Sequence, residues 1–194
     1  MKLTKALTII FLIFSFHNIV KADDIKDFEI EGMSVGDSLL DFFDKNEIEK
    51  NFVYKSDKYY LFVSSKFNSE NYDGVQFHIK KNDKKYLIAA IEGLKLFDDN
   101  FDDCLKLKDL IVNDLKNSLE DTEIFEDEGN HDYDPTGNSK FYRTNFSINP
   151  KSKYINMSVT CYDWSKKIED EYADKLSVAI ADDEFNDFTN NEAY

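Results

Sequence analysis

The stretch "NHDYDPTGNSK", Asn130 to Lys140, holds the residues whose types and spacing come closest to chemistry. Asp132, Asp134 and Thr136 place oxygens at alternate positions and Gly137 follows. That is the order of the first half of a calcium loop, where oxygens at positions 1, 3 and 5 wrap the ion and a glycine at 6 allows the turn. The twelfth position is Arg143 instead of a bidentate Glu, and a strand, not a helix, is predicted to follow. The expectation is either a weak calcium site, completed by Glu126, Asp127 or Glu128, or a solvated acidic loop.

The remaining chemical candidates are sparse. Once a leader is removed the histidines are His78 and His131, and neither stands near a Ser or Cys in a way that proposes a triad. Asp98–Asp99, Asp102–Asp103 and Asp182–Asp183 supply carboxyls of the kind that glycoside hydrolysis sets across a cleft, but a chain with 39 acidic residues produces such pairs by composition alone. Glycine-rich phosphate loops, H-E-x-x-H and G-x-S-x-G are absent, which leaves nucleotide chemistry and the common hydrolase sites without support. Two aromatic clusters remain, Tyr59–Tyr60 with Phe62, and Tyr162 with Trp164. They read as core and sheet packing or as a partner-binding face, for which Tyr162 and Trp164 are the candidate residues.

The first residues set the expected compartment. Lys2 and Lys5 precede the apolar run Ala6 to Phe16, and Val20-Lys21-Ala22 offers a cleavage point after Ala22. This is the pattern of a signal peptide over 1–22, against the alternative of an N-terminal anchor. The expected mature protein is one domain over 23–194, secreted or periplasmic, with no transmembrane segment after cleavage. Its two cysteines, Cys104 and Cys161, then stand in an oxidising space, where a disulfide is the default and two buried thiols the alternative. They lack the ligand count that zinc needs.

Charge narrows the partners. The formal charge is −15, and removing Lys2, Lys5 and Lys21 makes it −18. Such an excess repels phosphate backbones and anionic lipids, so nucleic acid is not an expected partner, while cations and basic surfaces are attracted. Seventeen Phe and eleven Tyr against six Gly and two Pro argue for a packed core over disorder. Arg143 is the one arginine, within a composition rich in Lys, Asn, Asp, Ile and Phe that fits an AT-rich coding bias.

The elements that must position these residues follow from periodicity. Ser34 and Asp37 predict a helix start, with Val35, Leu39, Phe42 and Phe43 on one face and a stop near Lys45. Asn46 to Asn51 reads as a second short helical turn. Strands are predicted over 59–64, 75–80 and 86–91, the last two as a hairpin. A helix follows from Phe101 to Leu119 whose apolar stripe turns Cys104 to the core. Residues 120–140 read as an exposed acidic loop, followed by strands over 141–148, 154–162 and 176–180 and a last helical turn with Phe185 and Phe188. The class is α+β, with two αβββ-like halves (28–95 and 98–190) forming antiparallel sheet, as one merged sheet or two, and helices packed on one face.

In its Gly32-Met33-Ser34 entry and its order of two short helices and three strands, the region 28–93 resembles the small SmpA/OmlA-type lipoproteins of β-barrel assembly and the related β-lactamase inhibitor proteins. The whole chain also resembles uncharacterised secreted proteins of AT-rich bacteria, a likeness that implies no activity. The first resemblance implies protein binding rather than catalysis. The expected function is accordingly a non-enzymatic binding or interaction protein whose partner is another envelope or secreted protein, or a small ligand. The alternatives are a small hydrolase with scattered carboxylates and a weak calcium module; no other cofactor is expected.

Overall fold

Alternation of side chains decides the architecture. In Gly74–Lys80, Val75, Phe77 and Ile79 are fully buried on one side, while Gln76, His78 and Lys80 point to the other. The same split separates Met157, Val159 and Cys161 from Ser158, Thr160 and Tyr162, and Leu176, Val178 and Ile180 from Ser177, Ala179 and Ala181. Strands with this period share one dry face when paired in register. The computed structural model describes residues 25–192 except 55, 66–70, 98–99, 120–121, 149–151, 153 and 169–171. The predicted leader over 1–22 and the pair Asp98–Asp99 lie outside the described residues.

Among the described residues the strands are β1 (Phe52–Tyr54), β2 (Tyr59–Ser64), β3 (Gly74–Lys80), β4 (Ile88–Leu96), β5 (Glu123–Asn130), β6 (Lys140–Ser147), β7 (Met157–Asp163) and β8 (Lys175–Ala181). They form one eight-stranded antiparallel sheet in the order β1-β2-β3-β4-β8-β7-β6-β5. Two meanders, β1 to β4 and β5 to β8, thus meet along a seam where Ile91 faces Ile180 and Gly93 faces Val178. The expected α+β class is present as a single merged sheet.

Helix α1 (Lys45–Lys50) and helix α2 (Phe101–Ser118) pack on the dry face, hereafter the front. Cys104, Ile111, Val112 and Leu115 form the buried stripe of α2, and a disulfide joins Cys104 to Cys161 on β7 with their Cα atoms 6.1 Å apart. Both the stripe and the bridge agree with the sequence. No helix among the described residues is long and apolar enough to cross a membrane.

Three expectations are corrected. The segment from Ser34 to Phe43 is not a helix. Gly36 takes φ +94°, and its N–H donates to Ile88 O at 2.8 Å, while Ile88 N–H donates to Asp37 O and Leu39 N–H to Tyr86 O. The segment therefore lends its backbone to the start of β4, leaving one 3-10 turn (Leu39–Asp41) capped by Ser38. Asp37 does not sit in a first helical turn; its carboxylate accepts the Ser34 N–H at 2.8 Å.

Each meander also has four strands, not three. β5 occupies part of what reads as an acidic loop, because an edge strand that is wet on both sides needs no alternation.

The third correction concerns helix α3 (Asp183–Asn191), which packs on the back of the sheet, so the helices do not share a face. A register shift between His78 and Ile79 leaves Ala89 as an extra residue whose carbonyl accepts the Asp182 N–H at 2.9 Å. Asp182 then caps the helix through Phe185 N–H, and Phe185 and Phe188 settle against Tyr59, Ala89 and His78.

The bridge closes a loop of 57 residues. Replacing both cysteines with Ala is expected to cost about 3–4 kcal/mol, read from urea unfolding with the slope fitted for each protein, because the chain without the bridge unfolds to a more open state. At the seam, a Cβ on Gly93 would lie 2.6 Å from the Tyr72 ring. Gly93→Ala is expected to cost about 1–3 kcal/mol in the same assay, and a neutral result would mean that Tyr72 yields freely.

Candidate functional site

Small side chains at the centre of the back face and larger ones at its flanks make a groove of about 370 Å³. Sheet register aligns its residues. Glu92, Ala179, Ser158 and Asn145 lie in one row across β4, β8, β7 and β6, and Ser177, Thr160 and Arg143 lie in the next. Ala90, Ala179 and Ala181 floor the end below α3, where Phe185 and Thr189 form one wall. That wall is fixed by a hydrogen bond from the Tyr154 hydroxyl to Asp187 and by Asn156 Nδ2 donating to Asp183 Oδ1 at 2.8 Å.

The opposite wall carries the charge. Arg143 Nε donates to Thr160 Oγ1 at 3.3 Å, and the guanidinium carbon stands 4.9 Å from the Phe141 ring centroid. Arg143 makes no ion pair with any described residue. Two residues further along the same strand face, Asn145 is 8% exposed and lines the groove, and its amide has no hydrogen-bond partner among the described residues. Asn156 Oδ1, also at the groove, is buried without one. Burial pushes the Tyr162 phenol up; Arg143 opposes this and Glu92 adds to it. Beyond Arg143 a second depression of about 480 Å³ reaches His131 and Tyr133, so the guanidinium stands on the saddle between the two.

The two-carboxyl arrangement of glycoside hydrolysis is not assembled among the groove's described lining residues. Glu92 is the one carboxylate among its described lining residues, and it accepts a hydrogen bond from Ser177 Oγ. Retaining and inverting glycosidases both need two carboxyls. His78 lines the groove at its far end with its ring 4.5 Å from that of Phe185. His131 is held toward its neutral form, chiefly by burial, with Asp132 opposing and Arg143 and Lys175 reinforcing.

The loop from 132 to 139 is a staple. Asp134 is 4% exposed, and its oxygens accept from Thr136 N–H, Thr136 Oγ1, Ser139 N–H and Ser139 Oγ, all within 3.0 Å. Ser139 Oγ in turn accepts from Ser165 N–H at 2.9 Å, which ties the loop to the segment after β7. Asp132 is exposed and shares no metal-sized cluster; among the described residues no group of three His, Cys, Asp or Glu side chains is arranged to hold an ion. Trp164, at 5% exposed, is stacked on Tyr172 and packed against His131 and Tyr162, and so offers little surface to a partner.

Tyr162 and His78 are thus the sequence candidates that reach the groove. Arg143, Asn145, Glu92 and Ser177 were not singled out by sequence reasoning for binding. The signal that could have found two of them is the alternation Phe141, Arg143, Asn145, which sets the chain's one arginine and an amide on the same side of a strand.

Burial of the Asp134 carboxyl raises its pKa, but the donors on Thr136 and Ser139 outweigh that and hold it far below the usual carboxylate range. A carboxyl lowered in the folded state contributes stability above its unfolded value, about 3.9, and loses it as pH falls toward the folded one. The gap in melting temperature between the native protein and Asp134→Asn is therefore expected to be full above about pH 5 and to narrow below about pH 4. A gap independent of pH in scanning calorimetry would contradict the staple. Comparison of the chain with family models, with curated proteins and with solved structures finds no match.

Proposed function

We propose that this chain is an exported, non-enzymatic binding protein that meets its target through the back-face groove. The observation that carries the reading is the coexistence there of a guanidinium without an ionic partner among the described residues, the Asn145 amide beside it on the same strand face, and the buried Asn156 Oδ1 that has no hydrogen-bond partner among them. A buried acceptor such as Asn156 Oδ1 costs stability when unmatched, so a ligand that reaches it together with Arg143 and Asn145 is the reading these groups support. The groove lies within the size range of small-molecule sites and has a few convergent polar groups on a small apolar floor. A binding role is also what the resemblance of residues 28–93 implies. Export rests on the leader pattern of residues 1–22 and fits a disulfide-bonded core.

Two measurements test the proposal. Mass spectrometry of protein isolated from its source should give an N-terminus at Asp23 and two cysteines that resist alkylation; an intact leader with free thiols would refute export. Isolation under mild conditions should retain a target, and Ala179→Trp, which fills the groove floor, should release it without lowering the melting temperature by more than a few degrees. A target still held by the tryptophan variant would place binding elsewhere.

A further inference from the structure

Resting on the groove as the binding site, we propose that its ligand is a small organic monocarboxylate. The carboxylate sits on Arg143 and Asn145, and an apolar body lies over Ala179 and Ala181 toward Phe185. A guanidinium presents a planar fork of donors that matches the two oxygens of a carboxylate. Thr160 occupies Nε and Phe141 flanks the plane, which fixes the side chain in position while leaving its terminal nitrogens without an ionic partner among the described residues. Asn145 adds an amide donor two residues along the same face, about 7 Å away along the strand.

Charge selects a monoanion. Glu92 lines the same groove and Asp127 stands opposite Arg143 in the β5·β6 register, so a second negative charge on the ligand meets two carboxylates, with Arg143 and Lys175, which lies over the Tyr162 ring, as the nearby cations. A phosphate monoester carries nearly two charges at neutral pH and is disfavoured. The alanine floor supplies no donors or acceptors from its side chains, which suits a hydrocarbon or aromatic body. A volume of about 370 Å³ limits the ligand to the lower end of small-molecule sizes.

The test titrates isotopically labelled protein with phenylacetate, octanoate, phenylacetamide and phenyl phosphate, following amide resonances by NMR. At least one of the two acids is expected to bind and to shift signals from Asn145, Ser158 and Ala179. Phenylacetamide and phenyl phosphate should each bind about tenfold more weakly or worse. Arg143→Gln should lose about tenfold or more in affinity for the acid, and Arg143→Lys, which keeps the charge without the fork, should fall between. Asn145→Leu provides a second variant of similar shape and should also weaken the acid. Equal binding of phenylacetate and its amide, native affinity in both Arg143→Gln and Asn145→Leu, or no binding by either acid would overturn the proposal. If the acids fail while Ala179→Trp still releases a native target, the groove is the site and only its ligand class is wrong; if both fail, both readings fall.

Discussion

The pairing of β4 with β8 is the constraint on which the rest of the molecule depends. Each meander is a local structure, and this seam alone merges them into one sheet. Its two faces do different work. On the front, Ile91, Val178 and Ile180 enter the core with Gly93, whose missing side chain admits the Tyr72 ring. On the back, Ala90, Ala179 and Ala181 are small enough to leave a groove, and Glu92 is held by Ser177 from across the seam. A one-residue slip would exchange these faces, putting alanines in the core and isoleucines in the groove. Core and binding surface are therefore specified by the same register.

The groove lies on a strongly anionic molecule, which gives its one arginine unusual weight. With a formal charge of −15, the net long-range field disfavours the approach of anions. At physiological salt that field fades over about 8 Å, so recognition of a negative group depends on contacts made at the floor. Arg143 suits this task because its environment is short-ranged: a hydroxyl on one side, an aromatic ring on the other, and small side chains in front. Lysines dominate the basic residues, but a compact ammonium could not offer the same planar fork.

How much of this the sequence disclosed varies with the kind of signal. Strands β2, β3, β6, β7 and β8 were legible because one face is dry and alternation survives. The disulfide was legible because the stripe of α2 turned Cys104 inward. The helix expected from Ser34 failed because the spacing of Val35, Leu39 and Phe43 also serves a chain laid against β4, and the backbone bonds to Ile88 and Tyr86 outweigh local capping. β5 was hidden by its position at a sheet edge, where charged residues are tolerated on both sides. Asp134 has the spacing of a cation ligand but is consumed by its own loop, a difference that lies in side-chain direction and not in order along the chain. The groove was invisible because its residues come from four strands and converge only across the seam.

That seam also sets an order of assembly. Ser177 and Glu92 are 85 residues apart, so β4 is synthesised long before its partner, and the loop closed between them is the costliest in the sheet. Each hairpin can zip locally, while the central junction has to wait for β8. Until then both half-sheets carry a bare inner edge beside apolar side chains. An intermediate of this kind can pair with the matching half of a second molecule as well as with its own, so raising the protein concentration during refolding would increase the share of exchanged dimers.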